Sequence, residues 1–222
     1  MAAKAQTADT VTTEEPRRKR DWVPSMLLVN FDLGRAIGSS FTNTNSLEGG
    51  VMIDTDVYFI TGEFGQSTIE RTNTYDYLSE GNFYRIGIAK NLSPFSKERN
   101  FFTFGLSYAR ADFKNSISFI QENAFYGNQE IDLRSNNMAA RWWEVNAAIR
   151  IRIWEQLYFG YVVRVKIFKD VFNKDGIEPW DIPGFGRHKR SGTEVKSTTL
   201  GLNYHISWRI PYRKKPIPNK PK

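Results

Sequence analysis

The stretch LYFGYVVRVKIF, residues 157–168, places Leu157, Phe159, Tyr161, Val163, Val165 and Ile167 at every second position, with Gly160, Arg164 and Lys166 between them. Strict two-residue alternation marks a β-strand, because successive side chains leave opposite faces of the pleat. The alternation leaves open which way the apolar face points. In a soluble sandwich or barrel it faces a core, whereas in a membrane barrel it faces lipid. The rest of the chain has to decide between the two.

Seven other segments alternate in the same way. Residues 26 to 37 set Leu27, Val29, Phe31, Leu33 and Ile37 against Asn30, Asp32, Gly34 and Ala36. Residues 48 to 56 set Val51 and Ile53 against Gly50, Met52 and Asp54, and residues 58 to 68 set Tyr58, Ile60 and Phe64 against Thr61, Glu63 and Gly65. Further strands are predicted at 82 to 90, 101 to 111, 139 to 153 and 196 to 210, which makes the opening stretch the seventh of eight. The predicted gaps 38–47, 69–81, 112–138 and 169–195 are long, whereas the turn near Asp56-Val57, residues 91–100 and residues 154–156 are shorter. Long loops at one end and short turns at the other predict an all-β fold: an eight-stranded antiparallel up-and-down transmembrane β-barrel, with the long loops outside the cell and both termini periplasmic.

The residues between the apolar positions point the same way. A water-facing surface would be rich in Lys, Glu and Thr, but this face carries Gly34, Ala36, Gly50, Gly65, Gly87, Ala89, Gly105, Ala109, Ala148, Gly160 and Gly201. Small residues suit a crowded concave interior, and eight strands enclose only enough space for side chains. Asp32, Asp54, Glu63, Arg85, Glu144, Arg150, Arg164 and His205 fall on that face and are expected as a charge-paired network filling the lumen, with Glu144 a candidate partner of His205. Aromatic residues gather at strand ends, Trp22, Tyr58, Phe102, Trp154, Trp208 and Tyr212 at one rim and Tyr84, Tyr108 and Trp143 at the other, a depth that amphipathic rings favour. The alternative is a soluble barrel of lipocalin type, with the apolar face lining a ligand cavity.

Composition bounds the rest. With 222 residues and 40% hydrophobic content the chain reads as one domain, and it contains no run of about 18 apolar residues that would make a transmembrane helix. The absence of cysteine removes disulfides, thiolate metal sites, a cysteine nucleophile and an acylated cysteine. Six of the 31 basic residues (Arg209, Arg213, Lys214, Lys215, Lys220 and Lys222) lie in the last 14 positions, where there is no acid, and the other 208 residues carry 25 basic against 24 acidic. The net charge of +7 therefore belongs to a tail, and no nucleic-acid partner is expected. Residues 1–21 read as a flexible periplasmic arm, with Ala3-Lys4-Ala5 resembling the small-x-small end of a processed leader, residues 22–212 as the barrel, and residues 213–222 as a basic, proline-rich periplasmic tail.

Two segments carry a family resemblance. RWWEVNAAIRIRIWEQLYFGYVVRVKIF at 141–168, and DIPGFGR at 181–187 followed by TTLGLNYHISWRIPYRKK at 198–215, resemble a family of small outer-membrane β-barrel proteins of Bacteroidota. The resemblance runs from Met26 to the end, and Pro183-Gly184-Phe185 with Arg187, ahead of a final strand ending Ile210-Pro211-Tyr212, is its most distinctive part. It implies a Gram-negative outer-membrane location and carries no activity with it. A final strand with outward aromatics suits insertion by the barrel-assembly machinery, although here the chain continues for ten residues past Tyr212.

Candidate chemistry is sparse. No phosphate-binding glycine loop, paired metal-ligand spacing or calcium-loop pattern occurs, so neither cofactor nor metal is expected. His188 in the last long loop, with Ser191 and Asp181 or Glu194 near it in sequence, is the basis of an alternative reading as an outer-membrane enzyme acting on lipid or peptide. A narrow pore is a further alternative. The leading expectation is a structural or accessory barrel of the cell envelope. It would contact outer-membrane lipid and lipopolysaccharide, and would bind a periplasmic or outer-membrane protein through Trp180, Pro183, Phe185 and Arg187 of the outer loop and through Arg213, Lys214, Lys215, Lys220 and Lys222 of the tail.

Overall fold

The computed structural model describes residues 22–34, 44–55, 57–72, 75–94, 96, 99–122, 127–173, 178–189 and 195–213. Its strands are β1 (Met26–Asp32), β2 (Thr44–Thr55), β3 (Tyr58–Thr72), β4 (Asp76–Asn91), β5 (Phe101–Gln121), β6 (Gln129–Arg152), β7 (Leu157–Phe172), β8 (Asp181–Ile182), β9 (Gly186–Arg187) and β10 (Thr198–Pro211). Neighbours from β1 to β7 pair antiparallel in chain order, and β10 lies between β7 and β1, so the eight long strands close into a barrel while β8 and β9 form a separate two-stranded piece. The closing seam is regular, with Met26 opposite Pro211 and Asp32 opposite His205.

The opening question has a direct answer. Along β7, Phe159, Tyr161, Val163 and Ile167 are exposed, whereas Tyr158, Gly160, Val162, Arg164 and Lys166 are buried. The same parity holds around the sheet: Ile86, Ile88, Phe104, Leu106, Leu200 and Leu202 face outward, each more than half exposed (52% to 74%). The apolar side of the alternation is therefore the outside of the cylinder, which is the reverse of a lipocalin. No described helix is long and apolar enough to cross a membrane.

The inward face is layered. At the end with the short turns, Met26, Leu28, Met52, Phe59, Ala89, Phe101 and Tyr158 form one buried apolar cluster. At the opposite end Phe83, Ala109, Ala111, Phe113, Met138, Ala140 and Trp142 form another, joined by Ile182 and Phe185 from the segment after β7. Charged residues occupy the level between them.

Two of the four long gaps are shorter than the alternation predicts. Gap 69–81 shrinks to residues 73–75 and gap 112–138 to residues 122–128, because β3, β4, β5 and β6 continue as paired strands well past the apolar belt. Both faces of these extensions carry Ser, Thr, Asn, Gln and charged residues, so the alternation fades while the backbone ladder continues. The register of β5 and β6 shifts between Phe113 and Asn115, opposite Met138 and Ser135, so that β6 carries one extra residue there. Ala36 and Ile37, along with residues 1–21, lie outside the described residues.

Candidate functional site

The middle layer is organised around Arg85. Its Nε donates to Glu144 Oε1 at 2.9 Å, Nη1 reaches Glu48 Oε1 at 2.5 Å and Glu63 Oε2 at 3.2 Å, and Nη2 donates to the Gly184 carbonyl at 3.3 Å. Arg164 approaches the same three carboxylates from β7, at 2.8 Å from Glu63 Oε1, 3.4 Å from Glu48 Oε1 and 3.8 Å from Glu144 Oε2. Trp142 Nε1 donates to Glu144 Oε1 at 2.7 Å. Arg85, Arg164, Glu48 and Glu144 are all buried, so these charges are held by one another through charge-assisted hydrogen bonds. Arg85 also lies over the Phe83 ring, 4.6 Å from its centroid.

The predicted network is thus brought together at Glu63, Arg85, Glu144 and Arg164, and Arg150 is buried on the same inward face. Asp54 is elsewhere. At the short-turn end it accepts from the Ser25 and Met26 amides and the Ser25 hydroxyl, all at 2.7 Å, and so caps the start of β1. His205 has different neighbours from the one expected, because Glu144 is engaged by Arg85 and Trp142, whereas His205 sits opposite Asp32. Asn203 Nδ2 donates to Asp32 Oδ2, and Ser207 donates to Asn30 Oδ1 at 2.6 Å, which continues this polar seam along β10.

Asp32, Glu48 and His205 can each offer one ligand atom within 4.8 Å of the others, which is the one group among the described residues able to hold a metal ion. The charge around it argues against occupancy by a cation. Asp32, Glu48, Glu63 and Glu144 are already balanced by Arg85, Arg150, Arg164 and Lys166 in the same buried layer, so a divalent ion would add two uncompensated charges in a low-dielectric interior.

The segment after β7 folds into the mouth of the barrel. Arg71 holds the Asp181 carboxylate with Nε and Nη2, and Tyr77 and Ser79 donate to the Asp181 carbonyl at 3.1 and 3.0 Å. Tyr77 also accepts from the Asp181 amide at 2.9 Å. Lys166 Nζ donates to the carbonyls of Gly184 at 2.6 Å and Phe185 at 3.1 Å. Arg71 and Tyr77 lie beyond the apolar belt, and both are shifted upward, Arg71 chiefly by its hydrogen bond to Asp181 and Tyr77 chiefly by burial.

This corrects the reading of the loop as an outward binding face. Pro183 and Phe185 are buried and Trp180 is half-buried, Trp180 against Tyr75 and Tyr77, and Phe185 against Trp142 and Phe168. Their apolar surface is used up in filling the barrel's own mouth, and of the four expected contact residues Arg187 alone is exposed. His188 is also buried, its ring 4.1 Å from that of Phe168, and Asp181 is committed to Arg71. Ser191 and Glu194 lie outside the described residues, as do Lys214, Lys215, Lys220 and Lys222 of the tail. Arg213 is described, and its amide donates to the Ser25 carbonyl at 3.1 Å.

Glu48, Lys166, Asn203 and Trp142 belong to the interior although sequence reasoning did not single them out. Parity carried the signal: Glu48 shares a face with Gly50, Met52 and Asp54, Lys166 with Arg164, Asn203 with His205, and Trp142 with Glu144. Nothing in the local sequence signalled the contact of Lys166 with Gly184.

These features define a class, that of antiparallel up-and-down eight-stranded barrels with charges inside, apolar side chains outside, and a mouth occupied by a loop of the same chain. Within it the chain belongs to the family described as Domain of unknown function (DUF6048), which matches residues 2–215. No curated protein matches the chain.

Proposed function

We propose that this chain is a plugged β-barrel of the outer membrane of a Gram-negative bacterium of the Bacteroidota, with a structural or accessory role in the cell envelope. The observation that carries the reading is the exposed apolar belt around a charged interior. On β7 the belt runs from Leu157 to Ile167, about 25 Å at roughly 3.3 Å per residue and a tilt near 40°, which matches the hydrocarbon band of an outer-membrane barrel. A surface this apolar over a whole circumference is unstable in water. Closure of the sheet leaves no strand edge in the belt unpaired, as a hydrocarbon medium requires. Rings at both margins fit interfacial anchoring: Trp22 stacked on Tyr58 with centroids 6.3 Å apart at one rim, and Tyr108 against Trp143 at 5.2 Å at the other.

We read the interior as filled, which favours a role other than conduction. Two apolar clusters, an ionic layer and the docked loop occupy the lumen in series, and around Asn30, Asp32, Glu48, Glu63 and His205 no space remains for the centre of a water molecule. The His188 ring is buried against Phe168 and the Asp181 carboxylate is held by Arg71, an arrangement that favours a packing role for both. Among the described residues, the polar hairpins that extend β3 to β6 beyond the belt are available to a partner.

The test is reconstitution. The full chain should require detergent or lipid to remain monodisperse, show heat-modifiable electrophoretic mobility, have its tryptophan fluorescence quenched by brominated lipid, and leave a planar bilayer silent. Monodisperse protein in plain buffer would remove the membrane assignment, and steady single-channel conductance would replace the plugged barrel with a pore.

A further inference from the structure

Arg110 on β5 and Arg141 on β6 are direct cross-strand partners. Residues directly opposite in an antiparallel pair project from the same face with Cβ atoms about 5 Å apart, and like charges so placed destabilise the sheet. Both belong to the outward face, two residues beyond Tyr108 and Trp143, which are themselves paired and in ring contact. Below that aromatic pair Leu106 and Val145 continue the apolar belt in register. The two arginine side chains are therefore rooted side by side about 5 Å above the aromatic rim, given roughly 3.3 Å per residue and the tilt of a barrel strand.

Each guanidinium has one carboxylate partner, held to the side of the pair and not between the two cations. Arg110 leans along its own strand to Asp112, Nη2 to Oδ1 at 2.8 Å, and Arg141 leans the other way to Asp170 at 3.1 Å, with its guanidinium 4.2 Å from the Phe172 ring centroid. Arg141 Nε is buried and has no hydrogen-bond acceptor. Each carboxylate is thus on the flank of the pair, and the side where the two cations repel holds none of them. On the Arg110 side Tyr84 is directly opposite, adding a phenol at the same level.

We propose that Arg110 and Arg141 form a binding site for the phosphate of a membrane-lipid headgroup, whose acyl chains lie down the belt over Tyr108, Trp143, Leu106 and Val145. A phosphate has three acceptor oxygens at the spacing of guanidinium forks, and it turns a repulsive pair into a bridged one. A soluble anion would meet the same two cations without the apolar column beneath them, so position on the outward face selects a lipid. The inference rests on the outer-membrane reading and extends it to a defined lipid contact.

The experiment uses the full chain in a neutral maltoside detergent, titrated in native mass spectrometry with a phosphorylated diglucosamine glycolipid, its dephosphorylated counterpart, and inorganic phosphate. The phosphorylated lipid should remain bound through detergent removal. Arg110→Gln combined with Arg141→Gln should weaken it about tenfold, the loss expected on removing charge-assisted contacts. Asp112→Asn combined with Asp170→Asn frees both guanidiniums from competing carboxylates and should strengthen binding, which provides a readout should the arginine variant fold poorly. Equal retention of the phosphorylated lipid by wild type and both variants overturns the site, as does equal binding of the dephosphorylated lipid. Competition by inorganic phosphate at the same concentration as the lipid reassigns the pair to a soluble anion. Failure of the outer-membrane reading would show separately, as solubility without detergent.

Discussion

Arg71 grips Asp181 across 110 positions of sequence, Nε to Oδ2 at 2.6 Å and Nη2 to Oδ1 at 3.1 Å, so the barrel wall holds the loop that fills its mouth. The contact is two-pronged but partly solvated, since the Arg71 side chain is 38% exposed. Asp181→Asn keeps the shape and removes the charge, and should loosen the loop by about 1 kcal/mol. Amide exchange across residues 178–189 should then rise several-fold while β5 to β7 keep their protection. Unchanged exchange would mean that Tyr77 and Lys166 hold the loop without the ion pair.

Gly184 has two separate reasons to lack a side chain. Its φ is +76°, and a Cβ there would stand 2.4 Å from the Phe83 ring, which on its other side closes onto Gly65. Gly184→Ala should therefore combine backbone strain with overpacking and cost about 2–4 kcal/mol. Gly186→Ala is the control: its φ is +105°, but the nearest atom to an added Cβ is Thr199 Cγ2 at 3.5 Å, so strain acts alone and the loss should be about 1 kcal/mol. Urea unfolding of both variants in lipid vesicles, followed by tryptophan fluorescence, should rank them in that order.

Arg85 links Glu48, Glu63 and Glu144, and all but Glu63 are almost fully enclosed. Arg85→Met strands buried carboxylates and should destabilise the barrel by about 3–5 kcal/mol. Arg85→Lys should rescue little of this, because a single ammonium cannot span three carboxylates and the Gly184 carbonyl at once. Adding Glu48→Gln and Glu144→Gln to Arg85→Met should recover part of the loss. Equilibrium unfolding of the three variants measures the recovery, and none at all would mean that Arg85 acts through packing on Phe83.

Much of this was legible in the alternation. Period two located every long strand, and small residues opposite Leu, Ile and Phe identified the inward face, because a narrow lumen admits little bulk. The outer parts of β5 and β6 were hidden because DFKNSISFIQ and QEIDLRSNN have no single buried face, so pairing persists there without an apolar rhythm to reveal it. Trp180 and Phe185 were legible as unusual loop residues. Their direction was not, since Tyr77, Trp142 and Phe168, which enclose them, come from three distant strands. Glu48 was missed because it precedes the apolar positions Val51 and Ile53 that set the rhythm of β2.

The belt itself gives the sharpest test. Phe104 and Val163 lie in its middle, 53% and 44% exposed. If water surrounded the cylinder, Phe104→Arg and Val163→Arg would be nearly neutral, because an exposed surface tolerates charge within about 0.5 kcal/mol. Against hydrocarbon each should cost about 2–4 kcal/mol at the midplane, falling toward zero at the rims. An arginine scan along β7 at Phe159, Val163 and Ile167 should therefore give a penalty that peaks at Val163, read as folding yield into lipid vesicles. The inward residues Val162 and Arg164, which adjoin Val163, obey a different rule set by packing and pairing, so the penalty should alternate as well as peak. A flat profile across the three outward positions would be incompatible with a lipid band around this sheet.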